Sequence, residues 1–132
     1  IYLPDFKYFD GAMAGKYSSE AFDYPERARS ALKEMHRQVG IARPEEDGLM
    51  YRGLMIRHLI LPNGISGTEK VADWVAAHLS GETYFHLMSQ YTPSYKARQY
   101  DNLSRRITRE ELSHAVHHAR EAGLTNLHIQ NG

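Results

Sequence analysis

The run Leu54-Met55-Ile56-Arg57-His58-Leu59-Ile60-Leu61 constrains this chain more than any other segment. Its apolar residues follow one another almost without a break, where a half-buried strand would alternate apolar with polar. That pattern predicts a strand buried on both faces, as in parallel sheets covered by helices. Pro62-Asn63-Gly64 stops it, and a helix is expected from about Thr68 to Leu79. Val71, Val75 and Leu79 share one stripe of that helix, and Gly81 lies just past its end.

The same alternation runs in both directions. Ile1 to Lys7 is short, apolar and rich in strand formers as far as Asp5. After a Gly- and Ser-containing stretch from Asp10 to Ser19, Tyr24-Pro25-Glu26 opens a helix, because proline is tolerated where a first-turn N–H has no partner. Ala28, Ala31, Leu32, Met35 and Val39 recur at helical spacing, and Gly40 closes the segment. Pro44 to Gly48 is a polar turn, read as the tip of a small hairpin. Thr83 to Ser89 is a third strand. Thr108 with Glu111 makes a capping box for a third helix, whose apolar face is Leu112, Ala115, Val116 and Ala119 and whose end is Gly123. Thr125 to Gly132 leaves room for a further short strand. The fold class expected is α/β: three consecutive βα units with a parallel sheet, doubly wound or part of a (β/α) barrel. Three strands cannot close a barrel, so apolar strand edges would stay open to solvent or another chain.

The chain has 132 residues, suited to one domain over 1–132. Sixteen basic and sixteen acidic side chains give a formal net charge of zero, which provides no long-range field for nucleic acid or an anionic membrane surface. No apolar run approaches the ~20 residues of a membrane span, and no signal peptide is visible. There is no cysteine, which excludes disulfides, thiol nucleophiles and thiolate metal sites within these residues. Cytoplasm is the default compartment. Ile1 is not an initiator methionine and already reads as strand interior, so the chain is expected to begin inside a larger fold.

In parallel α/β folds, functional groups collect where the βα loops leave the carboxyl ends of the strands. The first strand ends in Asp5-Phe6-Lys7, and side chains two apart leave the same face. An acid and a base there suit a zwitterionic ligand, or pair as a structural ion pair. Arg57, set among Leu, Met and Ile, needs a partner: an acid such as Asp5, or a ligand carboxylate gripped bidentately. His58 points the other way and is expected to be hydrogen-bonded beneath the helices, not catalytic. Asn63-Gly64 and Gly67-Thr68 read as an ordinary strand-to-helix turn, with a phosphate cradle the weaker alternative. His114 and His118 have zinc-binding spacing but face away from the apolar stripe, so a solvated face is favoured. The Tyr91 to Arg106 stretch interleaves tyrosines with basic residues, a pattern that can bind single strands. With no net basic charge, a substrate-side or surface loop is the preferred reading.

Three segments carry a family resemblance. Leu3-Pro4-Asp5-Phe6-Lys7-Tyr8, then Ile56 through Gly64, then Met88-Ser89-Gln90-Tyr91 look like successive strands of a radical S-adenosylmethionine enzyme. With Tyr91-Thr92-Pro93-Ser94-Tyr95-Lys96-Ala97 they resemble the pyruvate formate-lyase-activating-enzyme-like branch, over essentially the whole chain. The resemblance implies the second half of a partial (β/α)6 TIM-like barrel, with these strands similar to its fourth, fifth and sixth. It implies S-adenosylmethionine and a [4Fe–4S] cluster in the parent protein, the cluster held by a C-x-x-x-C-x-x-C loop. There the cofactor is cleaved reductively to a 5′-deoxyadenosyl radical that abstracts hydrogen from a protein or small-molecule substrate. By the same comparison Asp5 and Lys7 match an Asp-x-Lys motif near the methionyl end of the cofactor, and Arg57 an arginine pointing into that pocket. Gln90, Tyr91 and Thr92 fall where activating enzymes have Pro-Tyr-His, Thr92 replacing the histidine near the adenine. Cluster cysteines are absent, so the chain alone is expected to hold no cluster, to be inactive and to self-associate through its open sheet. The alternatives are a complete non-catalytic α/β binding or assembly domain, and another barrel enzyme using Arg57 and Asp5 on an anionic metabolite.

Overall fold

The computed structural model describes residues 2–17, 23–93 and 97–130. Ile1, Ser18, Ser19, Ser94-Tyr95-Lys96 and Asn131-Gly132, on which parts of the expectations above fall, lie outside the described residues. The regular elements are α1 (Gly11–Tyr17), α2 (Tyr24–Val39), β1 (Met55–Leu59), α3 (Thr68–His78), β2 (Tyr84–Met88), α4 (Arg109–Glu121) and β3 (Leu127–Gln130). The three strands form a parallel sheet in the order β1-β2-β3, with Arg57 opposite His86 and His86 opposite His128. The chain is therefore α/β with a parallel sheet, and the short strand after Thr125 is its outer member. Among the described residues no helix is long and apolar enough to cross a membrane.

The expected first strand is not a regular strand. Tyr2 pairs with Leu54 and Asp5 with Arg57, both parallel and in one register, as isolated bridges along the free edge of β1. Four bonds run between the segments: Tyr2 N to Gly53 O (3.0 Å), Met55 N to Tyr2 O (2.9 Å), Arg57 N to Pro4 O (2.9 Å) and Phe6 N to Arg57 O (2.8 Å). The rung that breaks the ladder belongs to Pro4, which has no N–H to give. The segment is thus a fourth parallel member of the sheet, interrupted by its own proline.

Burial differs from the expectation of a strand covered on both faces. Along β1 the residues alternate: Ile56 and His58 are buried, whereas Met55, Arg57 and Leu59 are partly exposed. β2 repeats this with Phe85 and Leu87 against Tyr84, His86 and Met88. One face alone is packed, against Leu32 of α2, Val71, Ala72 and Val75 of α3 and Ala115 and Ala119 of α4. Apolar residues on the second face gave the run its unbroken look, but no helix layer buries them as deeply as the first.

The helices begin where the caps predict. Thr108 Oγ1 accepts from Glu111 N (3.1 Å), and Thr108 N donates to the Glu111 carboxylate (2.8 Å). Gly40 closes α2 at φ 68°. Helix α1 was missed: its signal is Asp10, whose Oδ1 accepts from Ala12 N at 2.7 Å, followed by Ala12, Met13 and Ala14. The Pro44–Gly48 turn is closed by Glu45 N to Leu49 O and Gly48 N to Glu45 O, both 2.8 Å, but no strands flank it. Gly53 is required by close approach, since a Cβ there would overlap the Ala42 backbone.

Candidate functional site

Asp5, Lys7, Arg57, Gln90 and Tyr91 all line one cavity of about 630 Å³. It opens at the carboxyl ends of the first segment, β1 and β2, where parallel α/β folds gather their ligand-binding groups. Tyr8, Leu59, Leu61 and Met88 are among its apolar lining. Residues from three places in the sequence meet because the parallel register brings Asp5 beside Arg57 and Leu59 beside Met88.

Asp5 pairs with Arg57, and among the described residues Lys7 makes no ion pair. Arg57 Nε lies 2.7 Å from Asp5 Oδ1, and Arg57 Nη2 lies 3.4 Å from Oδ2. Both side chains are a little over one third exposed. The pairing is oblique. Nε is buried, and its N–H is not aligned on the carboxylate, so it has no hydrogen-bond partner. An arginine with five donors keeps several for another acceptor. Gln90 Oε1 is likewise buried without a donor, and buried polar atoms in this state are rare enough to call for an explanation. The cavity thus holds a cation, an acid–base pair and an orphaned acceptor within one partly apolar wall.

Tyr24 was not singled out from the sequence, yet it holds the site's backbone. Its hydroxyl donates to Asp5 O (2.9 Å) and accepts from Lys7 N (2.9 Å). Residues 2, 4 and 6 turn their backbone groups to β1, so those of Asp5 and Lys7 point to the outer edge of the segment, where the phenol at the start of α2 takes them up. Burial raises the Tyr24 pKa above the usual phenol value, which keeps the donor proton in place. No periodicity marks such a role; Tyr24 stood out only as the residue before Pro25. Tyr24→Phe is expected to cost about 1–2 kcal/mol in urea unfolding and to speed amide exchange at Lys7. Unchanged exchange at that amide would remove Tyr24 from this role.

His58 lies outside the cavity, as its strand position predicts. It is 1% exposed. Its Nδ1 is 2.6 Å from Phe6 O and its Nε2 is 2.8 Å from Thr68 Oγ1. A carbonyl can only accept, so Nδ1 carries the proton and Nε2 accepts from the threonine hydroxyl. Ser66 Oγ continues the chain to Thr68 Oγ1 (3.3 Å) and accepts from Leu61 N (3.2 Å). Burial holds the imidazole neutral, its pKa lowered to about 4.

The remaining candidates resolve into structure. Asn63 sits at φ 60° in a single 3-10 turn, Pro62–Gly64. Its N–H donates to Glu111 (2.7 Å), and Arg105 reaches both Glu111 (2.7 Å) and Asn63 Oδ1 (3.0 Å). The Arg105 guanidinium, helped by the Thr108 and Asn63 N–H groups, brings the Glu111 pKa down to about 2. The strand-to-helix turn is therefore latched to α4. His114 is exposed. His118 departs from the solvated reading, because its Nε2 lies 2.8 Å from Asp73 Oδ1 on α3. Tyr91 donates to Leu103 O (2.8 Å), folding the following connection back under the site.

No family model matches the chain, and no solved structure matches it. It is similar to an uncharacterized protein of Methanocaldococcus jannaschii, with 31% identity over 127 residues. That match covers 94% of this chain and 32% of the relative, so the chain spans about a third of the relative's length.

Proposed function

We propose that this chain is the carboxyl-terminal part of a radical S-adenosylmethionine enzyme similar to the pyruvate formate-lyase-activating enzymes. Asp5, Lys7, Arg57, Gln90 and Tyr91 are its share of the cofactor pocket. The observation that carries this reading is their convergence on one cavity at the carboxyl ends of consecutive parallel segments. S-Adenosylmethionine offers a carboxylate, an ammonium, a sulfonium and an adenosine. Lys7 and Arg57 suit the carboxylate and Asp5 the ammonium. Gln90 Oε1, buried without a hydrogen-bond partner, fits a ligand that supplies a donor. When bound beside a cluster, the cofactor supplies a 5′-deoxyadenosyl radical for hydrogen abstraction.

The cluster itself does not fit these residues, because thiolates hold such clusters and none of the 132 residues is cysteine. In this reading the rest of a longer parent holds it, and the relative's extra length is compatible with such a segment. The four parallel segments are then an arc of a partial (β/α)6 barrel, with Arg57, His86 and Met88 facing its interior. Such a parent works in the cytoplasm on a protein or small-molecule substrate, and the open arc drives self-association of the separate chain. The Asp5–Arg57 ion pair favours one rival, a non-catalytic α/β domain in which that pair is purely structural.

Titrating the ¹⁵N-labelled chain with S-adenosylmethionine separates the two. Saturable shifts are expected at 5–8, 57–59 and 90–92, and Arg57→Gln and Asp5→Asn should each weaken binding about 10-fold, as for lost hydrogen bonds to charged groups. Variants that lose stability while the parent chain shows no response to the cofactor would leave the structural reading in place.

A further inference from the structure

A second cavity, of about 520 Å³, lies beyond Gln90, Tyr91 and Thr92 at the same end of the sheet. Its walls come from the end of β2 and from the entry to α4, where Arg106 and Arg109 stand. Among the described residues no carboxylate lines it, so two guanidinium groups stand at one cavity in a chain of zero net charge. Among the described residues neither side chain has an ion pair or hydrogen bond, although Arg105 between them and the turn is fully engaged with Glu111 and Asn63. Glu111, an acid of the same first turn, is tied by Arg105, Asn63 N and Thr108 N, and neither it nor Glu110 lines the cavity. The start of α4 is already closed by its capping box, so the attraction comes from side chains and not from helix amides. Ser89 and Tyr91 hydroxyls donate to Gln130 O and Leu103 O, which leaves the Thr92 and Thr108 hydroxyl protons available beside the arginines.

We propose that this cavity binds the oxyanion group, phosphate or carboxylate, of a small anionic substrate. The inference rests on the function proposed above, because it places the substrate beside the cofactor. Gln90, Tyr91 and Thr92 line both cavities, so a substrate anchored at Arg106 and Arg109 extends across them toward Asp5 and Arg57. Guanidinium groups suit this role, since each can grip an oxyanion through two parallel N–H bonds. The size is that of a small-molecule site.

The test titrates the ¹⁵N-labelled chain with inorganic phosphate and, separately, with acetate, at constant ionic strength. Saturable amide shifts are expected at 89–92 and 106–109 with at least one of the two, and the stronger response names the oxyanion. Arg106→Gln/Arg109→Gln should weaken that response about 10-fold or more, as expected for lost charged hydrogen bonds, with the remaining spectrum unchanged; Arg98→Gln should not. Single variants serve if the double one shifts elsewhere. No saturable response, equal response in the double variant, or shifts centred on Lys7 and Arg57 would overturn the assignment. S-Adenosylmethionine added to the same sample reports at 5–8 and 57–59. An anion response without a cofactor response sinks the cofactor reading and spares this site, and the reverse sinks this site alone.

Discussion

A Phe6→Ala chain is expected to lose about 3–5 kcal/mol of folding stability, the range for removing a buried aromatic ring. Phe6 is 0% exposed and meets Trp74 edge to face with ring centroids 5.8 Å apart. It joins the cluster shared by α2, α3, α4 and the sheet, so the vacated volume has rigid neighbours on several sides. The loss is comparable with the total stability of an ordinary domain, ~5–15 kcal/mol. Its consequence for the site is direct. Phe6 anchors the backbone from which Asp5 and Lys7 project, because its ring points into the core as theirs point into the cavity. Urea unfolding followed by circular dichroism measures the loss; a change under about 1 kcal/mol would mean that the ring does not anchor this segment.

The second large effect is one of pH. Lowering the pH from 7 to 4 is expected to remove about 3 kcal/mol of stability through His58, at ~1.4 kcal/mol per pH unit across the window. The imidazole is neutral in the fold because burial lowers its pKa from 6.5 to about 4. Below pH 6.5 the unfolded chain takes up a proton that the folded chain refuses, so stability is complete above that value and falls steadily toward pH 4. Below about 4 both states are protonated and this loss stops. Glu111 acts in a different window: held down to about 2, its contribution is present above the ordinary carboxylate value and disappears as pH falls from there toward 2. Urea unfolding at fixed ionic strength across pH 4–7 reads the first window. His58→Gln should be less stable at pH 7, with Phe6 O and Thr68 Oγ1 deprived of their partner, but its slope between 6.5 and 4 should be nearly flat. A slope as steep as that of the parent chain would assign the titration to another group.

His58 and Arg57 also show how much of the site was legible beforehand. Adjacent strand residues point to opposite faces, so one had to enter the helix layer and the other the open face. The polar partners that make His58 tolerable, Phe6 O and Thr68 Oγ1, lie far apart in sequence and could not be named. The same holds for Tyr24. Its bridge from Asp5 O to Lys7 N depends on α2 lying along the outer edge of the first segment, and no local pattern records that.

The sequence by itself determined the alternation of parallel strands with helices, since hydrophobic period, capping residues and glycine stops are local quantities. It determined that Arg57 and His58 would take opposite faces of their strand, and the capping box at Thr108. Only the tertiary structure decided that the second face of the sheet is half-exposed, because apolar residues look alike whether or not a layer covers them. It alone decided that Pro4 interrupts the edge segment at one rung, that Asp5 takes Arg57 and not Lys7 as its partner, and that Arg105 is tied while Arg106 and Arg109 have no side-chain partner among the described residues. Each of these depends on the register between distant segments, which packing sets and no single window of residues contains.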